Sequence, residues 1–558
     1  MRPFALRRSF PRPSLWTVVA TVIASVVLLP IVTVLAHVFI PDGGSWRHLA
    51  DTVLGDYIGN SLSLMLGVTL GAGGIGIATA WLTSMYRFPG RGVFVWALLL
   101  PLAFPAYILA YTYTGMLEPA GPVQSWIRET FGLAYGEYWF PEVRSLGGAV
   151  VMLSLVFYPY VYLLARAAFL EQSVCALEAS RTLGYGPWRS FFFVALPLAR
   201  PAIVVGVSLA LMETLADFGT VDYFGISTFT TGIFRTWYGL YDEVAAAQLA
   251  ALLMTFVFVL LGLEHWSRRR MRFHHATNRY RALPQRRLPP LAAWGAAAVC
   301  FLPVLFGFLL PFVQLGIWVE QTWERTVDER FFTLARNSFV LAAVAAVISL
   351  GVALLLSYGK RLHPTPWLKG LVRLAGMGYA IPGMVIAVGV LIPFGWIDNT
   401  IDAWARAYFP EGTGLLLSGT LFMLLFAYLV RFLTVSLQSV EAGLSRIKPS
   451  MEEAAWSLGA SRGETLRRVH LPLMRGTLLT ASLIVFVEVL KELPATLVLR
   501  PFNFNTLAVR AYELASDEQL ADAATAALTI VVVSIVPVVL LSMTISHARP
   551  GHRDRKAA

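Results

Sequence analysis

Residues Glu452–Gly476 read EEAAWSLGASRGETLRRVHLPLMRG, and an earlier stretch, Leu177–Pro201, reads LEASRTLGYGPWRSFFFVALPLARP. Displaced by 275 residues, nine of the 23 positions in Glu178–Arg200 and Glu453–Arg475 are identical. Among them are Glu178/Glu453, Ala179/Ala454, Gly184/Gly459, Pro197/Pro472 and Arg200/Arg475. Chance similarity between apolar segments would match leucine with leucine. It would not match Glu, Gly, Pro and Arg in register. A fixed internal period marks a duplicated architecture. Both copies are polar inserts, and the sequence around them is of another kind.

The chain has 558 residues, of which 57% are hydrophobic and 14% charged, with mean hydropathy +0.65. Soluble domains carry about 25% charged residues, so this is an all-α polytopic membrane protein. The first run without Asp, Glu, Lys or Arg, Pro13–Pro41, has 29 residues. A signal-peptide core has about 7–15, and no small-residue cleavage site follows. The run is expected to remain as the first span. A net charge of +11 on a soluble protein would suggest nucleic acid. On a membrane chain arginine fixes topology, and nucleic-acid binding is excluded on that ground. Cys175 and Cys300 make neither a metal cluster nor a disulfide framework.

A spanning helix needs about 20 mostly apolar residues. Ten uncharged windows qualify: 13–41, 57–86, 92–117, 145–165, 244–263, 288–319, 337–359, 374–397, 412–430 and 523–548. Two more, 201–212 and 476–487, are cut short by Glu213 and Glu488. Counting both gives about twelve transmembrane helices. The N-terminal segment holds Arg2, Arg7, Arg8 and Arg12 without an acid, and 265–287 holds eight arginines without an acid. Alternate loops are basic and the intervening ones mixed or acidic. By the positive-inside rule both termini, segment 265–287 and both polar inserts are expected in the cytoplasm.

The displacement of 275 also aligns Glu213 with Glu488, Thr231 with Thr506 and Arg235 with Arg510. A displacement of 277 aligns Asn60-Ser61 with Asn337-Ser338 and Pro105 with Pro382. Six spans per half is an even number, so the halves are parallel, related by an axis along the membrane normal. The expected organisation is a first half at 1–264 with its insert at 178–197, a basic cytoplasmic linker at 265–287, and a second half at 288–558 with its insert at 453–472. The linker arginines also suit anionic lipid headgroups.

Each insert reads as a short amphipathic element. Ala454, Ala455 and Gly459 allow close approach by a partner. Gly459 suits a left-handed helix end, Glu453 the N-terminal part of that helix, and Pro472 the start of re-entry into the membrane. One such element could simply rest on the bilayer. Two in register, each directly before an interrupted span, read as docking elements.

The spacing Glu-Ala-Ala-x-x-x-Gly, nine residues, then Ile/Val-x-Leu-Pro resembles the cytoplasmic coupling motif of the permease subunits of ATP-binding-cassette importers. The second copy carries it as Glu453, Ala454, Ala455, Gly459, Val469, Leu471 and Pro472. The first carries Glu178, Ala179, Gly184 and Pro197 and departs at Ser180, where alanine is usual. The stretches ETLADFGTVDYFGISTFTTGIFRTWYG from Glu213 and KELPATLVLRPFNFNTLAVRAYE from Lys491 resemble fused permeases of ferric-iron importers. Thiamine, sulfate, polyamine and phosphonate permeases are close relatives of these. The resemblance implies a type I importer permease fold, a bacterial inner-membrane location and a periplasmic substrate-binding protein. It also implies a cytoplasmic ATPase homodimer docked on the two inserts. ATP would be used by that partner, with no cofactor bound by this chain. No phosphate-cradling G-x-x-x-x-G-K-[ST] is present, since Gly359-Lys360 is followed by Arg361. The chain is therefore read as a transporter and not an enzyme.

Glu213 and Asp217 are four residues apart, expected on one helix face, and Glu488 and Glu492 repeat the spacing. Lys491 adds a cation in the second half. A charge at mid-bilayer costs roughly 2.5–3.5 kcal/mol, so these five residues face a bundle interior or an aqueous path. Two roles stay open, lining a translocation path or holding the bundle together through pairing. No metal site is assigned. An ion-coupled secondary transporter would use the same acids as proton sites and needs no docking element. A scaffold or channel is the third alternative.

Overall fold

The computed structural model describes residues 15–41, 44–171, 182, 184–269, 285–408 and 412–547. Among them, eleven helices are long and apolar enough to cross a membrane. A bent pair, Arg91–Ala103 with Ala106–Phe131, turns through 91°, and counted as one broken span it brings the total to twelve. The bend has a local cause. Phe104 and Pro105 are both extended, as expected where proline lacks an N–H and pushes its predecessor out of the helical region. The repeat preserves this: Ile381 and Pro382 are extended before the helix Gly383–Arg406.

The ion pairs agree with twelve crossings. At the end of the bundle reached by Tyr86 and Arg286, which pair as a two-residue parallel ladder, Lys360 meets Glu441 at 2.7 Å. At the opposite end Arg144 meets Glu118 and Glu518, both at 2.8 Å. Helix limits differ from the uncharged windows where charges are compensated inside the bundle. The window 412–430 becomes Leu421–Ser445 with Arg431 in its interior. The truncated windows 201–212 and 476–487 become the continuous spans Pro187–Ala216 and Arg462–Lys491.

The duplication reaches the backbone. Both interrupted spans carry a π-turn, at Phe191–Ala195 and Leu466–His470, displaced by the same 275 residues. Asn60 donates to the Ser227 carbonyl at 2.8 Å, and Asn337 donates to the Asn505 carbonyl at 3.4 Å. Among the described residues the non-glycine positions with positive φ, Tyr241 at 54° and Glu518 at 61°, are 277 apart.

Packing exchanges elements between halves. Helices Leu54–Met85, Leu146–Glu171 and Leu196–Ala216 pack together in the first half, and Glu329–Leu362, Leu421–Ser445 and Leu471–Lys491 in the second. The first half's outer spans, Leu15–His37 and Glu243–Arg269, lie on Gly383–Arg406 of the second. The second half's outer spans, Leu310–Thr326 and Leu520–His547, lie on Ala106–Leu117 of the first. Each of the two buried apolar cores consequently draws residues from both halves.

Candidate functional site

The second insert begins as helix Pro449–Ser457, with proline in the first turn. Gly459 follows at φ +86°, and the Ala460 N–H donates to the Ala455 carbonyl at 3.0 Å. This is a glycine-terminated helix end. No atom lies within 4 Å of a Cβ built at Gly459, so backbone conformation is what favours glycine there. Ser461 then opens a new turn, its hydroxyl accepting from Glu464 N at 3.2 Å while the Glu464 carboxylate accepts from Ser461 N at 3.0 Å. That reciprocal cap leads through the π-turn into the span containing Pro472.

Glu453 and Ala454 are exposed and Ala455 half-buried. Leu458 is 88% exposed and Trp456 41%. The element thus offers an uncovered face of small and apolar residues. Sequence reasoning set the helix start near Glu453; it begins four residues earlier, and the acid in its first turn is Glu452, which is buried. In the first half Gly184 has φ +80°, and Pro187–Ser190 leads through the matching π-turn into the span containing Pro197. Glu178 and Ala179 lie outside the described residues.

Glu213, Asp217, Glu488, Lys491 and Glu492 all line one cavity of about 110 Å³ between the halves, near the break at Pro105. The expectation of one shared helix face is corrected for each pair. The helices end at Ala216 and Lys491, leaving Asp217 and Glu492 extended. Each acid instead caps the next helix. Asp217 accepts from Thr220 N at 3.0 Å, Thr220 Oγ1 at 2.9 Å and Val221 N at 3.2 Å. Glu492 accepts from Ala495 N at 3.1 Å, Thr496 N at 3.0 Å and Thr496 Oγ1 at 2.8 Å. Lys491 pairs with Glu488 at 3.0 Å and donates to the Leu102 carbonyl at 3.3 Å.

Arg431 was missed in the sequence because it closes an uncharged window and resembles a loop residue. It pairs with Glu492 at 3.1 Å, and Gly383 makes room for it. A Cβ there would lie 2.3 Å from Arg431 Nη1 and 2.6 Å from Glu492 Oε1. The repeat could have exposed this, since a displacement of 275 sets Arg431 opposite Val156, inside the window 145–165. Tyr160 and Tyr379 stand beside Glu213. Four carboxylates therefore face two cations. Two of the carboxylates are held by backbone N–H groups, which leaves Glu213 and Glu488, equivalent by the repeat, as the pair with fewest fixed partners. Among the described residues no group of three His, Cys, Asp or Glu is placed to hold a metal ion.

The sequence profile for the inner membrane component of binding-protein-dependent transport systems matches residues 15–273 and 348–551. The Fe(3+)-transport system permease protein FbpB 2 of Haemophilus influenzae is 27% identical, across 88% of this chain and 90% of its own length. The ferric transport system permease protein FbpB of Actinobacillus pleuropneumoniae is 24% identical, across 78% and 64%. The molybdenum transport system permease protein ModB of Escherichia coli is 30% identical, across 34% of this chain and 83% of its own. That match spans 197 residues, less than one half of this chain. A profile that aligns twice along a twelve-crossing helical chain, once on each half, is decisive: the chain belongs to the family of binding-protein-dependent transport inner membrane components, as a fused two-half permease with the type I fold.

Proposed function

We propose that this permease carries ferric iron, delivered by a periplasmic binding protein, into the cytoplasm, driven by a separate ATPase dimer docked on the two inserts. The observation that carries this reading is the paired continuity of insert and path. In each half the last turn of the insert, Pro187–Ser190 or Arg462–Thr465, continues through its π-turn into the span that carries a cavity acid near its far end, Glu213 in one half and Glu488 in the other. Motion of a docked partner at the inserts would therefore reach the cavity directly. In this reading both termini and the linker 265–287 are cytoplasmic, the linker joining halves 1–264 and 288–558. The relatives named for ferric transport cover most of the chain, and hard cations prefer carboxylate oxygen. Asp217 and Glu492 are occupied as helix caps, so Glu213 and Glu488 are the acids that ease a cation past the cavity. ATP is bound and hydrolysed by the partner, not by this chain.

The test is uptake of radioactive ferric iron by cells expressing the complete system, wild type against Glu213→Gln plus Glu488→Gln. The wild type is expected to accumulate iron and the double variant, inserted at normal levels, to lose most of the uptake. Uptake of another solute without iron would overturn the substrate. Unchanged iron uptake by the double variant would leave these acids with a structural role only.

A further inference from the structure

The two inserts are equivalent in sequence pattern, but the residues at three positions beside them differ in chemistry. In the second half Glu452 sits in the first turn of helix Pro449–Ser457, one residue before the motif glutamate, and is buried. One of its oxygens lies 2.6 Å from Arg361 Nε and 2.9 Å from Nε2 of His470, whose side chain is fully buried. Arg361 comes from the last turn of helix Glu329–Leu362 and donates to the carbonyls of Leu444 and, at 2.7 Å, Ile447. One guanidinium thus ties together the ends of two spans and the start of the insert helix. His470 closes the π-turn that opens the span Leu471–Lys491. From there the helix runs 18 residues to Glu488, about 27 Å at 1.5 Å per residue.

The first half's sequence lacks all three of these side chains. At the equivalent positions stand Leu177 for Glu452, Ala195 for His470 and Ser84 for Arg361. Where Tyr358 flanks His470 with ring centres 5.4 Å apart, the first half has Trp81, packed on Phe169 at 5.2 Å and Phe191 at 4.9 Å. An aromatic contact lets surfaces slide. A buried ion pair such as Arg361–Glu452 resists displacement, because parting it leaves an uncompensated charge.

We propose that Arg361, Glu452 and His470 are positioning residues that make the second insert a rigid joint to the span ending at Glu488 and Lys491, so that the second half transmits partner motion more tightly than the first. This rests on the docking role proposed for the inserts. The experiment reconstitutes the full chain with its ATPase and binding protein in liposomes and measures iron transported per ATP hydrolysed. Glu452→Gln, which strips Arg361 of its buried partner, and His470→Leu, which removes the polar contact with Glu452, are each expected to lower that ratio about tenfold. His470→Gln, which keeps a polar side chain beside Glu452, is expected to stay near the wild-type ratio. If Glu452→Gln does not assemble, the two His470 variants decide. A readout independent of the transported solute is the ATP-dependent change in thiol labelling of Leu493→Cys at the cavity, expected to be lost in His470→Leu. Wild-type ratios and labelling in Glu452→Gln and His470→Leu would overturn the joint, as would equal loss in His470→Gln and His470→Leu. Gly459→Arg separates the readings. If it uncouples while Glu452→Gln does not, the joint alone is wrong; if neither Gly459→Arg nor Gly184→Arg uncouples, the docking role itself fails.

Discussion

Replacing Arg431 with methionine removes the guanidinium and keeps much of the side-chain volume. In the folded chain the Arg431 side chain is 10% exposed and that of Glu492 2%, with 3.1 Å between them. The substitution leaves four cavity carboxylates facing Lys491 alone. Breaking a buried pair by deleting one partner costs about 3–5 kcal/mol. That lowers the folded-to-unfolded ratio by between about two and four powers of ten. Exchanging Glu492 for glutamine as well should recover about 2 kcal/mol or more, because an uncharged side chain no longer needs the cation. Its carboxamide oxygen can still accept from Ala495 N or Thr496 N, which lie 3.1 and 3.0 Å from the carboxylate. Arg431→Met, Glu492→Gln and the double variant form a mutant cycle. Each is purified in detergent, and the monodisperse fraction is followed through denaturant and temperature by fluorescence-detected size exclusion. The expected order has Arg431→Met well below the double variant. An Arg431→Met chain as stable as wild type, or a double variant whose loss is the sum of the single losses, would refute the ion pair as a source of stability.

Gly459→Ala should destabilise the insert by about 1–2 kcal/mol, because a Cβ penalises φ +86° although the surrounding space is open; local proteolysis of Gly459→Ala against wild type measures it. Gly184→Arg and Gly459→Arg, at normal membrane levels, should each reduce transport and stimulation of the ATPase. Asp217→Leu removes the acceptor for Thr220 N and Val221 N and should cost about 1–2 kcal/mol by loss of a helix cap. Asp217→Asn should cost less, and thermal stability of the two purified variants separates them. A cysteine at Gln285 should resist an impermeant thiol reagent added outside intact cells and react once the membrane is opened; labelling from outside would overturn the proposed orientation.

Composition and periodicity made the twelve crossings, the duplication and the two inserts legible without coordinates, because they depend on local quantities. A segment long and apolar enough to span lipid must be helical, a glycine at a helix end marks a left-handed residue, and an in-register repeat is read by alignment. The sequence also brought forward Glu213, Asp217, Glu488, Lys491 and Glu492, since charge inside a span is costly wherever it points. It could not assign their partners. The helices end one residue before Asp217 and Glu492, turning expected face-mates into caps, and that ending depends on the helices packed around them. Arg431 looked like the end of a span because its compensating carboxylate is 61 residues away in sequence and 3.1 Å away in space. The exchange of outer spans between halves left no trace in composition, since an apolar helix face does not record which neighbour covers it. The Arg361–Glu452–His470 cluster was hidden for the same reason: its members are dispersed along the chain, and only the meeting of two helix ends, a π-turn and the insert makes them one unit.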